Sequence, residues 1–230
     1  MNHSTMTRRL VIAGGLSTAG AALLGTSPAD AATMTAAQLT AKLKAYQASR
    51  GGTFSVALYD RRNYKTFSYQ GTWRNETLSI VKVLIMATVL RRCQERHVNL
   101  TTTQVAQAYA MITRSDNTAA NALLSWAGVS NVRRVAGLYG MKSTVIQGGT
   151  TAGASNWWGY STTTAQDQIV LMTGIIWGTS VISVANREYL KRLMAQVISS
   201  QRWGVSAPRC RRAMSGTPRT AGGRAPAATG

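Results

Sequence analysis

The chain has 230 residues, with 26 Lys and Arg against 7 Asp and Glu and a net charge of +19 at pH 7. That length suits one domain of ordinary size, or one domain with two lobes, and allows a substantial core. The charge favours polyanions, but the arginines are spread over many segments and no nucleic-acid motif accompanies them, so specific nucleic-acid binding is set aside in favour of simple solubility or contact with anionic cell-wall polymers.

Arg8-Arg9, an apolar run over 10–24 and then Ala29-Asp30-Ala31 follow one another in the order of an export signal. The run is short and glycine-containing, which fits a membrane anchor poorly. Thr7-Arg8-Arg9-Leu10 suits a twin-arginine route as well as the ordinary secretory one. The protein is therefore expected outside the cell, with residues 1–31 removed and no membrane span after them.

Residues 35–48 place Leu39, Leu43 and Tyr46 at helical spacing, and Gly51-Gly52 stops that helix. Residues 53–59 and 64–69 alternate as two strands about a turn at 60–63. From 79 to 98 apolar residues occupy every side, which predicts a helix buried nearly all round. Three more helices follow: Thr101 or Thr102 caps 105–112, Asn117 or Thr118 caps 119–126, and Ser130 caps 132–138. Gly128 and Gly140 end the last two.

A loop of Gly, Thr, Ser, Asn and Trp spans 147–162, in which Trp157 and Trp158 either stack on a ligand or, the reading favoured with Tyr160 beside them, pack and fix the loop's shape. Thr164 and Asp167 have the spacing of a capping box for a helix to about residue 177, and a last helix covers 183–198. From 208 to 230 the chain is mostly Arg, Ala, Gly, Thr and Pro, with no acid or aromatic residue and Met214 as its one large apolar residue, a composition that predicts disorder. No strand is expected beyond the hairpin, and two strands alone are marginal unless covered.

Ser79-Ile-Val-Lys82 supplies the first chemistry. Residues i and i+3 share a helix face, so Lys82 can take the proton of Ser79, provided that burial lowers its pKa. Ser115-Asp116-Asn117 supplies a second hydroxyl and an amide between two helices: Ser115 can relay a proton, Asn117 can hold a substrate amide or Lys82, and Asp116 can bond backbone N–H groups. His97 sits at the end of the nucleophile's own helix and reads as a solvated terminus. Cys93 reads as a small buried residue and Cys210 belongs to the basic tail, so no disulfide is expected. No metal-binding cluster or phosphate loop is present, and no cofactor is expected.

Thr77-Leu-Ser-Ile-Val-Lys82 and Met111-Ile-Thr-Arg-Ser-Asp-Asn-Thr-Ala-Ala-Asn121 resemble the nucleophile and Ser-Asp-Asn segments of the class A β-lactamase and penicillin-recognising serine hydrolase family. Tyr139-Gly-Met-Lys142 and Ser161-Thr-Thr-Thr164 resemble the stretches flanking its omega loop. The likeness covers about residues 35–205. It implies an α/β fold, with an antiparallel sheet lobe (an N-terminal helix plus hairpin) packed on an all-α lobe, in a domain over 32–207. It implies that Ser79 is the nucleophile, Lys82 its activating partner, Ser115 a further catalytic group and Asn117 a substrate-binding group. The substrate implied is a small β-lactam or peptide-like amide, opened through an acyl-enzyme at Ser79.

The sequence departs from the family pattern at two places. Between Asp116 and Asp167 it has no Asp or Glu, where class A β-lactamases carry the omega-loop glutamate that activates the deacylating water. The Gly148-Gly-Thr-Thr-Ala-Gly153 region stands there instead, and Asp167 is expected to be a helix cap. This favours the penicillin-binding peptidases and esterase-like acyl enzymes, with slow deacylation. Family members also continue with a Lys-Thr/Asn-Gly strand that lines the cleft, whereas here the pattern dissolves after about residue 206, as a reading-frame shift would produce. One lost oxyanion donor costs about 10²–10³ in rate, which leaves open an inactive homologue that binds cell-wall polyanions.

Overall fold

Thr35 opens the first helix, α1 (Ala36–Arg50), by a reciprocal cap: its Oγ1 accepts from the Gln38 N–H at 3.2 Å while Gln38 Oε1 accepts from the Thr35 N–H at 2.8 Å. The computed structural model describes residues 34–178 and 181–202. The export segment, Cys210 and the basic tail lie outside the described residues.

Strands β1 (Val56–Asp60) and β2 (Lys65–Tyr69) pair antiparallel from Val56↔Tyr69 to Asp60↔Lys65. Asp60 and Asn63 carboxyl and amide oxygens accept the N–H groups of Arg62 and Lys65, which closes the turn between them. Phe54 sits between Tyr46 and Tyr69, at 5.9 Å and 5.5 Å between ring centres, and so ties α1 to the hairpin. The hairpin is therefore covered by helix, as so small a sheet requires.

A second antiparallel pair adds to the hairpin. Strand β3 (Arg74–Glu76) pairs with β4 (Thr162–Thr164), with Arg74 opposite Thr164 and Glu76 opposite Thr162. All three β3 residues are exposed. Backbone pairing rather than alternating burial makes this strand, so its side chains carry no period-two signal.

Helix α2 (Val81–Glu95) follows a 3₁₀ turn at Leu78–Ile80, two residues later than the sequence pattern suggests. Its fully buried Leu84, Met86 and Val89 pack in one cluster with Leu123, Leu124, Val132, Val135 and Leu190 from the helices around it. Each such side chain contributes about 1.5–3 kcal/mol by burial. Those helices are α3 (Thr102–Arg114), α4 (Asn117–Ala127), α5 (Val129–Tyr139), α6 (Ala165–Thr173) and α7 (Val184–Ala195).

Other boundaries also differ from the sequence reading. Asp116 caps α4, because its carboxylate accepts from the Ala119 N–H at 2.7 Å while Asn117 is already the first helical residue. Helix α5 starts directly after Gly128, which at φ 77 turns the chain without a gap, so Ser130 is helical rather than a cap. Helix α6 passes into a π turn at Gly174–Gly178. Among the described residues, no helix is long and apolar enough to cross a membrane.

Candidate active site

Ser79 lies in the 3₁₀ turn that joins β3 to α2. The turn is anchored from behind: the Thr77 N–H donates to the Ser161 carbonyl at 2.7 Å, directly beside the β3–β4 pair. Leu78 is left-handed at φ 42 although it is a bulky residue, a conformation that costs on the order of 1–3 kcal/mol and persists only where surrounding structure enforces it. Its distortion leaves the Ser79 side chain exposed at the surface, one helical turn before the buried Lys82.

Ser115 and Asn117 arrive from the junction of α3 and α4. Ser115 ends α3 at φ 60 and ψ 34, a second non-glycine left-handed residue. Asp116 then caps α4, which places Asn117 in its first turn with the side chain toward Lys82.

The structure brings all four sequence-selected residues together. Lys82 Nζ stands 3.2 Å from Ser79 Oγ, 2.9 Å from Ser115 Oγ, 2.6 Å from the Ser115 carbonyl oxygen and 2.7 Å from Asn117 Oδ1. The Ser115 hydroxyl donates to Ser79 Oγ at 2.8 Å. Lys82 is 2% exposed, and burial pulls its pKa down from 10.5 to about 8, against a smaller upward pull from the Asp116 carboxylate. Among the described residues, no carboxylate hydrogen-bonds to Lys82.

One member of this site was not legible in the sequence as such. The Trp158 ring lies over Lys82 Nζ, 5.1 Å from its centre, and Trp158 is 1% exposed. The face of an indole attracts an ammonium by about 0.5–1 kcal/mol in the open and about 2 when dry, so the ring partly offsets the desolvation it imposes. Burial is the larger effect, since the pKa falls. Trp158 Nε1 donates to Asn121 Oδ1 at 2.7 Å, and Asn121 Nδ2 donates to the Thr150 carbonyl at 2.9 Å. Trp157 packs against both Trp158 and Tyr160, at 4.9 Å and 5.2 Å. The aromatic residues thus fix the loop by packing, and in doing so deliver one indole to the lysine.

The other candidates lie elsewhere. Asp167 pairs with Thr164 as a cap, its N–H donating to Thr164 Oγ1 at 3.1 Å, while its carboxylate accepts from the Ser143 N–H at 2.8 Å and from Thr144 Oγ1 at 2.6 Å. That carboxylate pins the root of the loop rather than reaching Lys82. His97 is exposed just past α2, at φ 53. With the buried Cys93 it lines a separate cavity of about 520 Å³ between α2 and α7. Among the described residues, no group of three or more His, Cys, Asp or Glu could hold a metal ion.

A hydroxyl, a buried amine, a second hydroxyl and an amide within hydrogen-bonding reach of one another, set between a sheet lobe and a helical lobe, have the layout of a serine acyl-transfer enzyme. The model of the Beta-lactamase enzyme family matches residues 38–108 and 105–213, and the chain belongs to that family. A beta-lactamase from Desulfarculus baarsii superposes with a TM-score of 0.60 at 17% identity, covering 72% of this chain and 71% of that one. A beta-lactamase from Streptosporangium roseum gives 0.60 at 21%, covering 71% of each. An ancestral class A beta-lactamase gives 0.58 at 24%, covering 70% and 72%. At these identities the likeness is one of fold. No curated protein matches the chain.

Proposed function

We propose that this protein is an exported serine hydrolase that opens a β-lactam amide through an acyl-enzyme at Ser79. The observation that carries the reading is the contact of a buried amine with an exposed hydroxyl, Lys82 Nζ to Ser79 Oγ at 3.2 Å, with Ser115 Oγ in reach of both. With the amine neutral, Lys82 takes the Ser79 proton as Oγ bonds to the lactam carbonyl carbon. The tetrahedral intermediate then collapses, the C–N bond breaks, and the ring nitrogen receives a proton from Lys82 through Ser115. The product is a Ser79 ester that water hydrolyses. Asn117 holds Lys82 in register and faces the same crevice, where it can take a substrate amide. Residues 32–207 form the catalytic domain on this reading, and 1–31 direct export by the secretory or twin-arginine route.

A second reading keeps the acylation and loses the hydrolysis. Among the described residues no carboxylate hydrogen-bonds to Lys82, and no Asp or Glu occurs between Asp116 and Asp167, so no base stands ready for water. The protein then acts as a penicillin-binding acyl enzyme of peptidase or esterase type.

Intact-mass spectrometry with a labelled penicillin, run beside a chromogenic β-lactam, tests both. Turnover that disappears in Ser79→Ala supports the hydrolase, and a persistent adduct that disappears in Ser79→Ala supports the acyl-trapping protein. A folded protein that forms no adduct excludes both and leaves a basic, non-catalytic homologue for anionic polymers.

A further inference from the structure

Lys82 Nζ has three protons at most and four oxygen atoms within 3.2 Å, from Ser79, Ser115 and Asn117. The loop supplies the wall on a further side: the Trp158 ring, 5.1 Å from Nζ, is buried and fixed through Asn121. The wall is itself braced. Gly149 and Trp157 form a bridge across the loop, with the Trp158 N–H donating to the Gly149 carbonyl at 2.8 Å, and a Cβ at Gly159 would collide with the Trp157 ring.

We propose that Trp158 is a positioning residue whose indole, held by Asn121, walls off the loop side of Lys82 so that the amine reaches Ser79 while no water reaches the amine. The inference rests on the reading of Ser79 as nucleophile. Acylation uses the contacts of Lys82 with Ser79 and Ser115, which the wall leaves intact. Hydrolysis of the ester by the same amine needs a water hydrogen-bonded to Nζ, and the four oxygens and the indole leave that water no place. The wall thus slows hydrolysis of the ester by this amine, as the second, acyl-trapping reading requires, and the loop governs the ester's lifetime by excluding solvent. The dry wall also keeps Lys82 able to lose its proton near neutral pH, in line with its lowered pKa.

The test compares Trp158→Ala, Trp158→Phe and Asn121→Ala, each checked for a cooperative melt. Two readouts are taken: the lifetime of the penicillin adduct by intact mass, and the titration of Lys82 by NMR of protein labelled at the lysine ε-carbon. Trp158→Ala is expected to shed the adduct at least about tenfold faster and to move the Lys82 midpoint up from about 8 by roughly one unit or more toward 10.5. Trp158→Phe keeps a ring over the amine and is expected to stay near the parent protein in both. Asn121→Ala keeps the indole but releases it, and moves both readouts in the direction of Trp158→Ala; it decides the matter if Trp158→Ala does not fold. Folded Trp158→Ala or Asn121→Ala with the parent's titration and lifetime overturns the proposal, as does a Phe variant that behaves like Ala. If the parent protein forms no adduct, the acyl-transfer reading fails, and the titration alone still shows whether Trp158 keeps Lys82 dry.

Discussion

Ser115 Oγ stands 2.8 Å from Ser79 Oγ although 36 residues separate them, because a left-handed residue at the end of α3 and a 3₁₀ turn before α2 face each other across one crevice. If Ser115 relays the proton to the leaving nitrogen, Ser115→Ala should slow acylation by about 10²–10⁴, the usual range for a positioned proton-transfer group. Single-turnover mass spectrometry measures this. An unchanged rate in a folded variant removes Ser115 from the proton path.

Acylation should rise with pH. At pH 7 about one tenth of an amine with a pKa near 8 is neutral, against less than about one in a thousand at the ordinary value, so the rate should climb roughly tenfold per unit up to about pH 8 and then level off. A flat profile from pH 6 to 9 would contradict Lys82 as the base. Stability follows the same proton. The unfolded chain, with lysine at 10.5, holds it more tightly than the folded protein does, so between about 8 and 10.5 this group's destabilising effect is relieved as pH rises, and below 8 it is fully present.

Glu95 links α2 to α5. Its carboxylate is drawn down from 4.5 to about 2, first by the hydrogen bond from Arg134 and then by that from Arg91, at 2.7 Å each to its nearest oxygen. The group is largely in solvent, so a double-mutant cycle of Glu95→Gln with Arg134→Met should yield only about 0.2–1 kcal/mol. A depressed acid stabilises above its unfolded pKa, so this contribution should be complete above about 4.5 and fade as pH falls toward 2. Urea melts of both variants at pH 3 and pH 7 check the sign.

Asn121→Ala removes the acceptor of a buried indole N–H and the donor to the Thr150 carbonyl. Leaving that N–H unsatisfied should cost about 1–3 kcal/mol. In a domain of this size that lowers the melting temperature by about 2–4 °C per kcal/mol, which calorimetry resolves.

The local rules that the sequence states openly were readable. Thr101, one of the two caps expected for α3, does cap it, and the i, i+3 spacing of Ser79 and Lys82 puts both on one face. Asp116 as the cap of α4 was obscured because Asn117 and Thr118 are equally good caps by type, and only the turn of Ser115 decides which residue lies outside the helix. Strand β3 was obscured because its register comes from β4, far along the chain, where Arg74 pairs with Thr164. Trp158 could be read as a packing residue, but its second neighbour was not legible: irregular backbone has no period that says which way a side chain turns, and the lysine beneath it belongs to another part of the chain.

The hydrogen bond from Thr77 to Ser161, laid beside the β3–β4 pair, makes the two rims of the crevice one mechanical piece. The rim that carries Ser79 and the rim that carries the indole share a seam, so the loop is no independent flap. Any guest bulky enough to push the indole outward also drags on the strained Leu78 beside Ser79. The room in the crevice and the placement of the Ser79 hydroxyl are thus set by the same few backbone bonds.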